Sequence, residues 1–179
     1  RVLPRLAVDM GPAGQFKLEV DLEPLDASSK VLRKSSRGRY SVTHSADAWL
    51  RLDGRFLDGT RFQLTVDEEV ESRVHAKGHK RKLKRSTTLR LVMRPKEKRY
   101  GSLDTLAPGV RDVVQLPRGI DLKTFDVSQG KVFLCAVKKH KSFNEDPPYE
   151  LDLEKAISLM FLSVYQVLNL SRRVTRSSG

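Results

Sequence analysis

The stretch "RFQLTVDEEVESRVH", residues 61–75, alternates apolar and polar side chains. Phe62, Leu64, Val66, Val70 and Val74 fall on one side; Arg61, Gln63, Thr65, Asp67, Glu69, Glu71 and Arg73 fall on the other. A period of two sends successive side chains to opposite faces of a strand, so this segment predicts a long half-buried strand. "STTLRLVMR", residues 86–94, supplies the return, with Leu89, Leu91 and Met93 inward and Arg90 and Arg94 outward. Gly78 lies between them and lets the backbone turn. The expected unit is a protruding β-hairpin over 61–94, with Glu69 and Glu71 paired across its stem to Arg90 or Arg94.

Other segments repeat the alternation. "FKLEVDL" places Phe16, Leu18, Val20 and Leu22 on one face of a half-buried antiparallel strand. "YSVTHSADAWLRL" places Tyr40, Val42, Ala46, Ala48, Leu50 and Leu52 together. Asp53-Gly54 and Asp58-Gly59 read as hairpin turns, and "ASSKVLRKSSRG" as a polar connection. "KVFLCAV", residues 131–137, is continuously apolar and reads as a central strand covered on both faces. Residues 152–171 predict a helix capped by Asp152, with Glu154 in its first turn and Arg172 and Arg173 near its end. Leu153, Ile157, Met160, Phe161, Val164, Tyr165 and Leu168 give it a wide apolar face. The fold class is therefore mainly β (α+β): an antiparallel β-sandwich or open barrel with a long basic hairpin and one C-terminal helix. A chain of 179 residues suits a single domain over 1–179. It opens without an initiator Met and reads as processed or as part of a longer protein. No signal-peptide pattern opens it, and its apolar runs are too short to span a bilayer, so the expected setting is soluble, cytoplasmic or otherwise intracellular.

The net charge is +12, and its placement is more informative than its size. Between Arg73 and Arg99 the single acid is Glu97. Lys77, Lys80, Arg81, Lys82, Lys84 and Arg85 crowd the expected hairpin tip, backed by Arg90, Arg94, Lys96, Lys98 and Arg99. Like charges in one short segment repel, so the tip is expected to stay mobile until an anion arrives. Clustered Lys and Arg neutralise phosphates and release condensed counterions, giving salt-sensitive binding that is largely independent of base sequence. A secondary patch is available from Arg33, Lys34, Arg37 and Arg39 and from Lys138, Lys139 and Lys141, if the fold brings these beside the hairpin.

Other chemistry is thin. Trp49 and Tyr100 are the candidates for stacking on a base, with burial as the competing expectation. His75 and His79 flank a turn beside Lys80, a poor place for a cation, and His44 is expected in or beside the core. Cys135, the lone cysteine, excludes an internal disulfide and any site needing more than one thiolate. Its apolar setting reads as a buried, inert thiol. Asp121 and Lys123 match the short D-x-K element of metal-dependent nucleases, with Asp104 or Asp112 as further ligands. The sequence carries no phosphate-cradling Gly-rich loop, nucleophile elbow, metal-ligand cluster or cofactor motif.

The leading functional reading is a non-catalytic nucleic-acid-binding module that grips DNA or RNA phosphates through the hairpin. The runner-up is a structural subunit of a larger protein or nucleoprotein assembly, using hairpin and C-terminal helix for subunit contacts. A Mg-dependent nuclease is the minor alternative.

Overall fold

A computed structural model describes residues 9–10, 14–78, 80–101, 103, 108–144 and 146–177. Its strands are β1 (Phe16–Val20), β2 (Val31–Arg37), β3 (Tyr40–Arg55), β4 (Arg61–His75), β5 (Arg81–Arg94), β6 (Asp121–Ser128) and β7 (Lys131–Phe143). Its helices include a single turn, α1 (Glu97–Tyr100), and the long α2 (Leu153–Ser177). The strands form one seven-stranded sheet in the order β1-β3-β4-β5-β7-β6, with β2 also on β3, and every pairing is antiparallel. The architecture is thus mainly β with one C-terminal helix, and that helix is the second layer.

The two layers meet along the expected alternation. Phe62, Leu64, Leu89, Leu91, Met93, Val132, Leu134 and Ala136 form the buried sheet side. Ala156, Ile157, Met160, Phe161, Val164, Val167 and Leu168 of α2 pack on them. Each large apolar side chain removed from water here contributes about 1.5–3 kcal/mol. The Asp152 carboxylate accepts a hydrogen bond from the Lys155 backbone N–H at 2.9 Å, the expected N-cap.

The helix covers only half the sheet. Register carries its face onward, through Glu68, Val70, Ser72 and Val74 on β4 and Thr87, Arg85, Leu83 and Arg81 on β5. This outer half ends at the β4–β5 turn, where Gly78 has φ +74°.

Several expectations are corrected. The 61–94 hairpin does not protrude, because β3 pairs with β4 from Tyr40↔His75 onward and β7 pairs with β5 from Lys82↔Phe143. Arg81 to Arg85 lie in this ladder instead of on a mobile tip, since β4 runs to His75 and β5 starts at Arg81. The register also sets Lys84 opposite Glu71, leaving Arg90 to pair with Asp67. The connection 27–38 is largely strand: β2 is an edge strand with water on both sides, so its polar sequence costs little there. Gly38 (φ +59°) makes its tight turn into β3.

Gly54 is not in a turn. It lies inside β3, where an added Cβ would stand 2.4 Å from Phe62 Cζ. The alternation of β3 breaks at Ala48–Trp49, a register shift between Asp47 and Leu50. Tyr40, Val42 and Ala46 therefore face away from α2, whereas Leu50 and Leu52 face it. The side chains of β1 are exposed, not half-buried, because α2 stops short of this edge.

Candidate nucleic-acid interface

The sheet face opposite α2 holds much of the positive charge. On its outer half, register places Arg73 beside Lys82, Glu71 beside Lys84 and Glu69 beside Ser86. The next strand adds Lys141 opposite Lys84 and Lys139 opposite Ser86. On the other flank, Arg33 lies opposite His44 and Arg37 opposite Tyr40. Strands are about 4.8 Å apart, so β2 to β7 spans roughly 19 Å, close to the width of a nucleic-acid duplex.

The acids on this half-face do not neutralise it. Glu71 Oε1 lies 2.6 Å from Arg73 Nε and 3.2 Å from Lys84 Nζ, and His44 Nε2 is 3.9 Å from Oε2. The hydrogen bond from Arg73, then that from Lys84, holds the Glu71 carboxyl below the usual carboxylate range. One carboxylate thus serves two cations, Arg73 and Lys84. A depression of about 330 Å³ opens around Glu69, Glu71, Lys84, Lys139 and Lys141. Lys82 and Phe143 flank it, with the ammonium 5.9 Å from the ring centroid.

The expected binding residues divide into groups. Arg33, Arg37, Lys82, Lys84, Lys139 and Lys141 share the face away from α2, on its outer half. Arg39, Lys77 and Lys80 border its end, where the Ala76 backbone N–H donates to the Arg39 carbonyl at 2.8 Å. Lys34, Arg81, Arg85 and Lys138 point to the other side of the sheet, because side chains alternate. Arg90 is tied to Asp67 halfway along the sheet.

Arg94, Lys96, Lys98 and Arg99 belong to the far end. At about 3.3 Å per residue, Arg94 at the end of β5 is roughly 43 Å along the strand from Arg81, and Lys96 lies beyond it. There the Lys96 side chain borders Gly59, and Arg99 Nε is 4.0 Å from Asp58 Oδ2. The single interface expected over residues 77–99 is therefore split by the length of β5.

Of the aromatic candidates, Tyr100 is occupied elsewhere. Tyr100 is buried, and its hydroxyl donates to Asp58 Oδ2. Burial first, then that bond, pushes its pKa up to about 12. Trp49 sits in the β3 bulge, and its carbonyl accepts from the Asp21 N–H at 2.9 Å. Tyr40 and His75 meet edge to face at 5.1 Å on the basic half-face, a pair that only cross-strand register brings together.

His44 is half-exposed beside Glu71, on the sheet face away from α2. Cys135 is buried, as its apolar setting predicts. Asp121 begins β6, and a register shift at Lys123 separates the two D-x-K residues in phase. Asp112 lies in the 3₁₀ segment Pro108–Val113; Asp104 and His79 are outside the described residues. Among the described residues no three His, Cys, Asp or Glu side chains gather to hold a metal ion. Likewise, no helix among them is long and apolar enough to cross a membrane.

No known protein family, curated protein or solved structure matches this chain.

Proposed function

We propose that this chain binds nucleic acid non-catalytically, laying the sheet face opposite α2 against the phosphate backbone. The observation that carries the reading is the row of Lys82, Lys84, Lys139 and Lys141 on adjacent strands, with Glu71 shared between Arg73 and Lys84. A fold gains nothing from opposing like charges across a ladder, whereas phosphates spaced along a backbone match them. The broad, lightly aromatic surface suits backbone contact more than base readout.

The test is a gel-shift titration of single- and double-stranded DNA and RNA at low salt, repeated as salt is raised. Binding should depend little on base sequence and fall steeply with salt. Affinity that survives moderate salt unchanged, or no binding to any of these polymers, rejects the reading.

A second reading, a subunit of a larger assembly, is supported by one feature. Phe16, Leu18 and Val20 are exposed at 49%, 40% and 43%, side by side on edge strand β1, and Leu22 follows at 87%. Leu18→Lys is expected to leave nucleic-acid binding intact and to reduce any self-association seen by analytical ultracentrifugation. A chain that is monomeric at all concentrations removes self-assembly from this reading.

A further inference from the structure

On the α2 side, beyond the end of the helix, the outer half of the sheet forms the floor of a groove of about 750 Å³. One wall is the β1–β2 connection at Leu25 and Asp26; the other is Pro147, Pro148 and Tyr149. Cross-strand register lays Thr43, Ser72 and Ser142 on the floor around Leu83, a row of hydroxyls that can donate to an anion.

The cationic part of the groove is built in place. Arg85 Nε lies 2.6 Å from Glu68 Oε1, and its guanidinium stacks on the Tyr149 ring at 4.8 Å. That Glu68 oxygen is buried and takes no aligned hydrogen bond, so its contact with Arg85 is an ion pair without good N–H geometry. Burial, opposed by the Arg85 charge, raises the Glu68 pKa above its ordinary value. The Tyr149 hydroxyl is held by Thr87 at 2.5 Å, and the His140 ring meets both Tyr149 and the Pro147 carbonyl. Lys34 is exposed on the opposite flank, about 14 Å from β5 across the strand spacing, so two long side chains can converge over the β4 floor. Asp26 is the acid among the lining side chains and Glu68 lies behind Arg85, so the cations Lys34, Arg81 and Arg85 still outnumber the acids there.

We propose that this groove binds a small phosphorylated ligand of mononucleotide size, with the phosphate between Arg85 and Lys34 and the ring or apolar body against Tyr149 and Pro148. Arg85 arrives with its Nε edge engaged and its aromatic stacking made, so little side-chain freedom is lost when an anion docks. The groove volume falls within the range of small-molecule sites. It is a second site, on the opposite side of the sheet from the proposed backbone contact, and it stands independently of that reading.

The test is titration of isotope-labelled protein with adenosine 5′-monophosphate, adenosine, inorganic phosphate and a 5′-phosphorylated tetranucleotide, followed by amide NMR shifts. The monophosphate should move amides of Ser72, Leu83, Arg85 and His140, and adenosine should bind at least about tenfold more weakly. Arg85→Lys and Lys34→Glu should each weaken the monophosphate about tenfold, while Lys98→Gln at the far end should not. Lys34 is exposed on an edge strand, so its variant remains informative even if Arg85→Lys folds poorly. A tetranucleotide that binds tighter than the monophosphate assigns the phosphate to a strand end; equal affinity assigns it to a free nucleotide; both support the site. Adenosine binding as well as its phosphate, or shifts confined to Lys84, Lys139 and Lys141, would each overturn the proposal.

Discussion

Lys84 and Lys141 lie directly opposite each other on the antiparallel strands β5 and β7. Opposed like charges disfavour a sheet, and Glu71, 3.2 Å from Lys84, is shared with Arg73. Lys141→Thr should therefore stabilise the fold by about 0.5 kcal/mol while weakening nucleic-acid binding. Urea denaturation and binding, measured on the same preparation, check both halves. A loss of stability would show that Lys141 is structurally satisfied.

Gly54 is required by packing. A Cβ there would meet the Phe62 ring at 2.4 Å, in a core where Phe62 stacks on Phe56 and contacts Phe161. Gly54→Ala should cost about 1–3 kcal/mol of overpacking. The readout is the midpoint of chemical unfolding, and an unchanged midpoint would mean that the ring moves aside freely.

These two positions mark how far the sequence could be read. Phe62, Leu64, Leu89, Leu91 and Met93 announced themselves by alternation, and α2 by its apolar face and Asp152 cap. Both signals are local, and both survive in the fold. Gly54 carried a turn signature, because the same dipeptide composition serves a hairpin or a close approach to a ring. β2 was hidden because an edge strand wet on both faces has no apolar period to display. The bulge at Ala48–Trp49 reversed the phase of β3, which alternation alone cannot detect.

The candidate site was legible as composition and illegible as geometry. Arg85 and Lys84 are neighbours in sequence, yet they face opposite sides of the sheet. Lys139 and Lys141 join Lys84 only through the β5–β7 pairing, a contact of long sequence separation. Lys96 and Arg99 were adjacent in the charge count but stand at the other end of β5.

The Tyr100–Asp58 hydrogen bond predicts a plateau in stability against pH. The Tyr100 pKa is raised from 10.0 to about 12, so its contribution is complete below pH 10 and is lost as pH rises toward 12. Burial pushes the Asp58 carboxyl up, but the hydrogen bonds from Tyr100 and Thr60 outweigh it and leave its pKa below the ordinary 3.8. Its contribution is therefore present above that value and lost as pH falls below it. Tyr100→Phe should cost about 1–3 kcal/mol between these limits, with the difference from wild type shrinking at both extremes. Thermal unfolding of the two proteins across pH measures it. A pH-independent difference would assign the effect to packing.

The most direct measurement is the salt dependence of duplex binding for three proteins. One is wild type; one carries Lys82→Gln, Lys84→Gln, Lys139→Gln and Lys141→Gln; one carries Lys96→Gln, Lys98→Gln and Arg99→Gln. Each phosphate contact contributes about 0.9 to the slope of log affinity against log salt. The sheet-face variant should lower the magnitude of that slope by about 3 to 4 and lose most of its affinity, with the far-end variant close to wild type. Equal slopes for wild type and the sheet-face variant, or a larger loss in the far-end variant, would contradict the assignment of this face to phosphate binding.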